Sequence, residues 1–220
     1  MMIILGMLGV IVNKKINIPN AKEEYKLEDT IVETKEESER YSICVYYPRT
    51  PYDILNEEIN CNISEYISDF KQCLSTLSEN KKYNLNINFE SYKFKNYISY
   101  VFNISENIGC IHDESYIYTV VYDIKKNKVV KIQDFILKDE KLLDKISEYC
   151  YNELLKNDEI ASFNASEFVK NGTKPIIENY EKFILNDGKF VVYFSEYQVV
   201  PYYLGMQKVF IPLESIGLTI

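Results

Sequence analysis

The sequence predicts an α+β protein of two lobes, each an antiparallel sheet region with one helix packed across it. Three observations predict this class. Apolar residues recur every three or four positions in two long segments, 51–77 and 139–156, which is the spacing of one buried helical stripe. The segments between and after them alternate apolar and polar residues, as half-buried strands do. Several strands follow one another without a helix between them, which favours antiparallel meanders over alternating βαβ units.

The first half of the chain contains a strand, the longest helix and then a run of strands. Residues 41–47 alternate and predict the first strand. For the helix, Thr50 is expected to cap the first turn, Pro51 fits the first helical position, and Asp53 completes a Thr-x-x-Asp variant of the capping box. Its predicted inward positions are Leu55, Ile59, Ile63, Tyr66, Phe70, Leu74 and Leu77. Alternating strands are then expected near 85–89, 98–104 and 116–122.

The second half repeats a strand, a helix and further strands. A polar turn at 123–128 leads to a predicted strand at 129–132, and a weaker helix at 165–170 is expected to stop at Asn171-Gly172. The inward positions of the intervening helix are Leu142, Leu143, Ile146, Cys150 and Leu154. The chain then predicts a hairpin, with strands 182–186 and 189–194 joined by Asp187-Gly188, and a last strand at 207–211.

Four regions are expected along the chain. Residues 1–12 are apolar but shorter than the roughly 20 residues of a membrane-spanning helix. They are either a strand or buried start, or the remnant of a signal anchor. We expect an anchor, because residues 13–40 are charged and poor in large apolar groups, as an acidic solvated tether would be. The two lobes are then predicted at 41–123 and 124–220.

Composition excludes several classes of partner. The 220 residues are 46% hydrophobic, which is enough for one core or two small lobes. The net charge of −8 argues against nucleic acid and against direct binding of an anionic wall polymer such as peptidoglycan, and mildly favours a cationic partner. Half of that charge comes from residues 22–40, which hold eight acidic and four basic residues, so the inference for the folded part is weaker.

No motif for catalysis or metal binding is present. The single histidine lies in His112-Asp113-Glu114, a cluster that is either a polar loop between strands or, as an alternative, part of a hydrolytic site. The five cysteines have no CxxC or CxxH spacing and are interpreted as small buried apolar residues. Cys61 and Cys73 are expected on one helix, too far apart to bond to each other. We therefore predict no catalytic residue, metal or cofactor.

An aromatic loop is the candidate binding surface. Residues 196–206 contain three tyrosines around a proline and a glycine, so the tyrosines cannot all follow one strand period. Rigid tyrosine-rich loops are common anchors in protein interfaces. On the residues alone the loop is a corner of the core, a protein-binding loop or a glycan contact. The predicted partner-binding residues are Tyr197, Val200, Pro201, Tyr202, Tyr203 and Gly205.

The same region carries a family resemblance. The segment FILNDGKFVVYFSEYQVVPYYLGMQKVFIPLESI has a strand, an Asp-Gly turn, an aromatic strand ending F-x-x-Y, then P-Y-x-x-G and a strand ending I-P. The matching residues are Asp187, Gly188, Phe194, Tyr197, Pro201, Tyr202, Gly205, Ile211 and Pro212. This pattern resembles the extracytoplasmic region shared by RsiV-type anti-sigma factors and PdaC-type peptidoglycan deacetylases. The segments starting at Tyr47 and Tyr116 also look like this family, so the resemblance covers roughly residues 41–216.

The resemblance implies a DUF4163-like (PdaC-like) lobe at 41–123 and a DUF3298-like (RsiV-like) lobe at 124–220. In the anti-sigma factors this region binds lysozyme, and in the deacetylases it is an accessory module before the catalytic domain. We therefore expect a non-catalytic extracytoplasmic binding domain of the bacterial envelope. Its expected partners are a cationic lysozyme and, through residues 1–12, the membrane. The alternatives are a peptidoglycan-associated accessory module and a hydrolase that uses His112.

Overall fold

The structure is a computed structural model, and it describes residues 10–12, 30–78, 81–109, 113–162 and 166–220. Its strands are β1 (Val10–Val12), β2 (Thr30–Glu37), β3 (Tyr41–Arg49), β4 (Tyr83–Phe94), β5 (Tyr97–Asn107), β6 (Glu114–Asp123), β7 (Lys128–Val130), β8 (Phe183–Asn186), β9 (Lys189–Phe194) and β10 (Gln207–Pro212). Its helices are α1 (Asp53–Cys73), α2 (Gln133–Ile136), α3 (Leu142–Leu154), α4 (Asp158–Ser162) and α5 (Ser166–Gly172).

The strands form two sheets. Strands β1 to β7 are hydrogen-bonded in chain order, and β10, β9 and β8 form a separate three-stranded sheet. The chain divides into a first unit, the described part of 1–89 and 103–115, and a second unit, the described part of 90–102 and 116–220. The predicted α+β class is confirmed. The predicted lobe boundary at 123/124 stays a prediction. Each unit consists of two separate stretches of the chain, and the divisions between the units fall within long strands.

In the first unit, the predicted long helix is present, and five of its seven predicted inward positions are buried, while Tyr66 and Leu77 are only partly buried. The helix α1 buries Leu55, Ile59, Ile63 and Phe70, and Leu74 is buried at the start of the 3-10 turn that follows. One strand pairing differs from the predicted antiparallel arrangement, because β3 and β4 pair in parallel. The reason is geometric: 21 helical residues, about 32 Å long, return the chain to the end where β3 began. The segment β3–α1–β4 is therefore a βαβ unit.

The predicted capping box of α1 is wrong. The helix begins at Asp53 after Tyr52, and no side chain caps it. Asn56 instead binds Thr50: its Oδ1 accepts from the Thr50 N–H at 2.8 Å, and its Nδ2 donates to the Thr50 carbonyl at 2.8 Å. The Thr50 hydroxyl oxygen accepts from the Tyr52 N–H at 3.1 Å. These bonds fold residues 50–52 into a turn before the helix, so Thr50 stabilises the turn rather than the first helical N–H groups.

A paired strand occupies part of the predicted acidic tether. Residues 30–37 form β2, which pairs antiparallel with β3 along its whole length. Two of its acidic side chains have partners on β3 or α1: the Tyr46 hydroxyl donates to Glu33 at 2.6 Å, and Glu36 accepts from the Tyr41 hydroxyl and pairs with Lys71 of α1. The composition predicts a solvated linker here, but these partners and the pairing of β2 with β3 hold the acidic residues in a strand. Residues 13–29 lie outside the described part.

In the second unit, apolar side chains pack against both faces of the three-stranded sheet. On one face, Leu185, Phe190 and Val192 belong to the same apolar cluster as Ile146 and Cys150 of α3. On the other face, Ile184, Val191 and Tyr193 cluster with Val101 and Ile117. Burial on both faces explains why β9 is almost continuously apolar rather than alternating.

The local elements of the second unit largely follow the sequence prediction. The helix α3 is two to three residues shorter than expected at each end, and α5 ends at Gly172 as predicted. The turn between β8 and β9 has positive φ at Asp187 (45°) and Gly188 (71°), as a two-residue hairpin turn requires. The hairpin and the last strand are therefore confirmed, and together they fix both ends of the aromatic loop.

Candidate functional site

The aromatic loop, residues 196–206, connects β9 to β10 at one end of the three-stranded sheet. Its second half is a 3-10 turn at Tyr202–Leu204. The turn is closed by the Leu204 N–H, which donates to the Pro201 carbonyl at 3.1 Å, and by the Gly205 N–H, which donates to the Tyr202 carbonyl at 2.8 Å. Gly205 has φ 64° and ψ −165°, a conformation that is available almost only to glycine. The loop is therefore a defined turn in which Gly205 has a steric role.

Two valines fasten the middle of the loop to the core. Val199 and Val200 have no exposed surface and belong to the main apolar cluster of the second unit. Val200 was among the predicted partner-binding residues, and its burial places it in the core instead. Adjacent valines can both be buried here because the chain bends at this point rather than following a strand, so both side chains contact the interior.

The tyrosines lie on the outside of the loop. Tyr197 is 62% exposed and Tyr203 is 59% exposed, while Tyr202 and Pro201 are half-buried. The rings of Tyr197 and Tyr202 stack, with their centroids 5.4 Å apart and their planes 24° from parallel. Tyr197 has φ 63°, which is uncommon for any residue other than glycine. The surrounding contacts hold this strained backbone, so the stacked pair is part of a preorganised surface.

A polar network fixes the start of the loop. The Ser195 N–H donates to Gln198 Oε1 at 3.0 Å, and the Gln198 N–H donates to the Ser195 carbonyl at 3.1 Å. The Gln198 amide nitrogen then reaches two carbonyls outside the loop, those of Gly172 at 3.3 Å and Asn179 at 3.2 Å. We call Gln198 with these three partners the Gln198 clamp. It joins the loop to the end of α5 and to the segment that follows it.

Lys182, directly before β8, contacts the end of β9. Its ammonium donates to the Ser195 hydroxyl at 2.6 Å. Burial lowers the pKa of Lys182, and the nearby carboxylate of Glu181 offsets part of that effect. Within the loop itself Glu196 is the only charged residue. The exposed tyrosines therefore form a surface with little local charge.

The sequence did not identify the clamp residues. Gln198 falls in a gap of the quoted motif, and Gly172 and Asn179 are 26 and 19 residues away from it. Gly172 is predictable as a helix stop, but its close approach to the loop is not: a Cβ on Gly172 would lie 1.9 Å from the carbonyl oxygen of Gln198. Polar residues in loops give no sequence signal for such long-range contacts.

The predicted alternative site around His112 is only partly within the described residues. His112 itself lies outside them. Asp113 is exposed and accepts from the Asn107 side chain at 2.7 Å, and Glu114 begins β6. Burial raises the pKa of the neighbouring Glu106, and the carboxylates of Glu114 and Asp69 raise it further. In the part of the chain that the structure describes, no group of three or more histidine, cysteine or acidic residues has the arrangement of a metal site.

Four of the five cysteines can be described, and all four are free thiols. Cys150 is buried, as predicted, and burial raises the pKa of its thiol. Cys61 and Cys73 both lie on α1, as predicted, but both are exposed, so the expectation of burial is wrong for them. They occupy helix positions outside the buried stripe of α1. Cys110 lies outside the described residues.

The described chain contains no helix with both the length and the apolar character needed to cross a membrane. The predicted anchor, residues 1–12, falls almost entirely outside this part. Only the backbone of Val10–Val12 is described, and it pairs antiparallel with β2.

Comparison with known proteins tests the family resemblance seen in the sequence. Residues 133–214 match the family described as "Protein of unknown function (DUF3298)". The chain is 28% identical over 192 residues to the anti-sigma-V factor RsiV of Bacillus subtilis, which covers 83% of this chain and 67% of RsiV. It is 34% identical over 130 residues to the peptidoglycan-N-acetylmuramic acid deacetylase PdaC of the same species, which covers 59% of this chain and 27% of PdaC. The chain thus spans about two thirds of RsiV and about a quarter of PdaC.

Two crystal structures share the fold. A DUF3298-family protein of Pseudomonas aeruginosa superimposes with a TM-score of 0.64 at 13% identity, over 86% of this chain and 91% of that one. A DUF3298-family protein of Bacteroides fragilis superimposes with a TM-score of 0.58 at 17% identity, over 87% and 92%. The predicted resemblance to RsiV-type and PdaC-type proteins is confirmed. The assignment of residues 41–123 to a DUF4163-like lobe stays a prediction.

Proposed function

We propose that the chain, whose residues 133–214 match the DUF3298 family, is a non-catalytic, extracytoplasmic binding domain of the bacterial cell envelope. Homology to RsiV, over most of this chain, and to PdaC supports an envelope-related role outside the cytoplasm. A protein ligand is favoured because RsiV is the relative that matches the larger part of the chain.

The exposure of Tyr197 and Tyr203 carries the proposal. Both are about three-fifths exposed on a loop whose neighbouring valines are fully buried. Tyrosines at the surface of a fixed loop present a large contact area and lose little conformational entropy on binding. If the tyrosines were needed only for the core, their rings would be buried as the valines are. The aromatic loop is therefore the proposed contact surface, with Tyr197, Pro201, Tyr202 and Tyr203 facing the ligand and Gly205 shaping the turn.

We propose a cationic lysozyme as the ligand, as the family resemblance implies. The net charge of −8 would raise the rate of encounter with a cationic protein, and this effect weakens as salt screens it. The contact surface itself has only Glu196 as a charged residue, so desolvating it on binding is less costly than desolvating a charged surface. Charge would then control association, and the tyrosines would control dissociation.

The alternative is a peptidoglycan-associated module, which the similarity to PdaC favours. That similarity covers 27% of PdaC, so the activity in PdaC's name does not transfer with it. An acidic domain is also a poor electrostatic match for an anionic polymer. Sedimentation with purified peptidoglycan, at low and at physiological salt, separates this alternative from lysozyme binding.

The test compares three variants by calorimetric titration with a c-type lysozyme and by thermal unfolding. Tyr203→Ala removes an exposed ring and should weaken binding roughly thirtyfold, because truncating an interface hot spot typically costs about 2 kcal/mol. Its thermal midpoint should move little. Val200→Ala removes buried atoms and should do the opposite, lowering stability by about 2 kcal/mol while the folded protein keeps its affinity. Leu137→Ala is the matched control, since Leu137 is an apolar residue 85% exposed outside the loop.

Two results would contradict the proposal. The absence of measurable lysozyme binding by the unmodified protein would exclude this ligand. If the unmodified protein binds but Tyr203→Ala and Leu137→Ala both keep its affinity, the contact surface lies elsewhere on the domain.

A further inference from the structure

The Gln198 clamp connects three separate pieces of the second unit. Gln198 uses both ends of its side-chain amide: the oxygen accepts from the Ser195 N–H, and the nitrogen donates to the carbonyls of Gly172 and Asn179. The Asn179 side-chain oxygen also lies 3.5 Å from the same nitrogen. The side chain therefore satisfies backbone groups directly before the loop, at the end of α5 and before β8.

The position of the clamp within the loop matters. Gln198 lies directly after Tyr197, whose positive φ is uncommon for a tyrosine, and directly before the two buried valines. Its own backbone is held from outside, since Gly172 approaches so closely that a Cβ there would overlap the Gln198 carbonyl. The clamp thus fixes the chain on one side of Tyr197, and the stack on Tyr202 fixes its ring on the other.

We infer that Gln198 is the positioning residue of the binding surface, holding Tyr197 and Tyr202 in their stacked arrangement before a ligand arrives. That this surface binds a ligand rests on the proposed function. That Gln198 holds Tyr197 and Tyr202 in their stacked arrangement does not. A loop without the clamp would have more accessible conformations. Only a fraction of molecules would then present the competent surface, and the apparent dissociation constant would rise in inverse proportion to that fraction.

The experiment uses Gln198→Met, which keeps the length and approximate volume of the side chain and removes its hydrogen bonds. The matched control is Gln133→Met, at an exposed position at the start of α2. Three quantities are measured: amide hydrogen exchange of residues 195–206, affinity for a c-type lysozyme, and the thermal midpoint. Gln198→Met should speed exchange in the loop and weaken lysozyme binding, each by about tenfold, since one buried unsatisfied group corresponds to roughly that factor. Exchange in β9 and β10 should stay slow.

A residue with only a structural role would behave differently. It would lower the thermal midpoint and speed exchange throughout the second unit, and the folded molecules would bind lysozyme with unchanged affinity. That pattern would overturn the inference, as would faster loop exchange with unchanged affinity. If the unmodified protein does not bind lysozyme at all, the proposed function fails, and exchange in the loop still decides whether Gln198 positions Tyr197. Equal loop exchange in Gln198→Met and the unmodified protein would then reject the positioning role.

Discussion

Replacing Gly172 by alanine tests how closely α5 approaches the aromatic loop. Gly172 is a buried residue at the end of α5, and its φ is outside the left-handed region, so alanine can adopt the same backbone conformation. Helix propensity alone predicts a gain, because alanine is favoured over glycine by about 1 kcal/mol inside a helix. The tertiary contact predicts a loss. The substitution therefore places two effects of opposite sign in competition.

The geometry indicates which effect is larger. A Cβ on Gly172 would lie 1.9 Å from the Gln198 carbonyl oxygen and 2.7 Å from both the Gln198 carbonyl carbon and Val199 Cγ1. Carbon atoms in contact are normally about 3.5–4.0 Å apart, so the loop backbone would have to move by more than about 1 Å. Overpacking of this kind costs about 1–3 kcal/mol or more, and the movement also breaks the bond from the Gln198 amide to the Gly172 carbonyl. We expect a net loss of about 1–3 kcal/mol.

Urea unfolding measures this change, with amide exchange of residues 195–206 as a local readout. The control is Asn171→Ala, an exposed neighbour on α5, which should change the free energy of unfolding by no more than about 0.5 kcal/mol. The expected result for Gly172→Ala is a lower midpoint together with faster exchange in the loop. If Gly172→Ala is as stable as the unmodified protein or more stable, with loop exchange unchanged, then helix propensity dominates and the close approach is not a constraint.

Two further predictions concern other parts of the chain. Cys61→Ser and Cys73→Ser should each remove one fast-reacting thiol equivalent in a dithiobis-nitrobenzoate assay of the native protein. Cys150→Ser should leave the fast phase unchanged, because burial makes that thiol inaccessible and raises its pKa; a fast-phase loss in Cys150→Ser would contradict its burial. Burial raises the pKa of Asp134, but the hydrogen bonds from the Lys128 side chain and the Lys131 N–H outweigh it, so the pKa lies below its ordinary value. The stabilisation by ionised Asp134 is then present above the unfolded pKa of about 3.9 and is lost as the pH falls through the folded pKa. In urea titrations, Asp134→Asn should therefore destabilise the protein at about pH 7 and much less at about pH 2. Equal losses of stability at both pH values would contradict this.

The sequence by itself determined the elements that depend on local pattern. The buried stripe of α1 follows from apolar residues spaced three or four apart, and Leu55, Ile59 and Ile63 are buried as that spacing predicts. The turn at Asp187-Gly188 follows from the positive φ that a two-residue hairpin needs. The family resemblance also lay in the sequence, because its motif is a spaced set of turn and strand residues. These features depend on interactions between residues close together in the chain.

Only the tertiary structure decided which side chains of the aromatic loop are exposed. Val200 and Tyr203 are three residues apart, and both are suitable for a contact surface, yet Val200 is fully buried and Tyr203 is not. The difference arises because the loop bends where Gln198 bonds to Gly172 and Asn179, residues that are distant in sequence. The parallel pairing of β3 with β4 and the pairing of β2 within the predicted tether have the same origin. Strand pairings, close approaches and long-range hydrogen bonds join residues far apart in the chain. A local pattern of residue types does not determine which distant residue will be the partner.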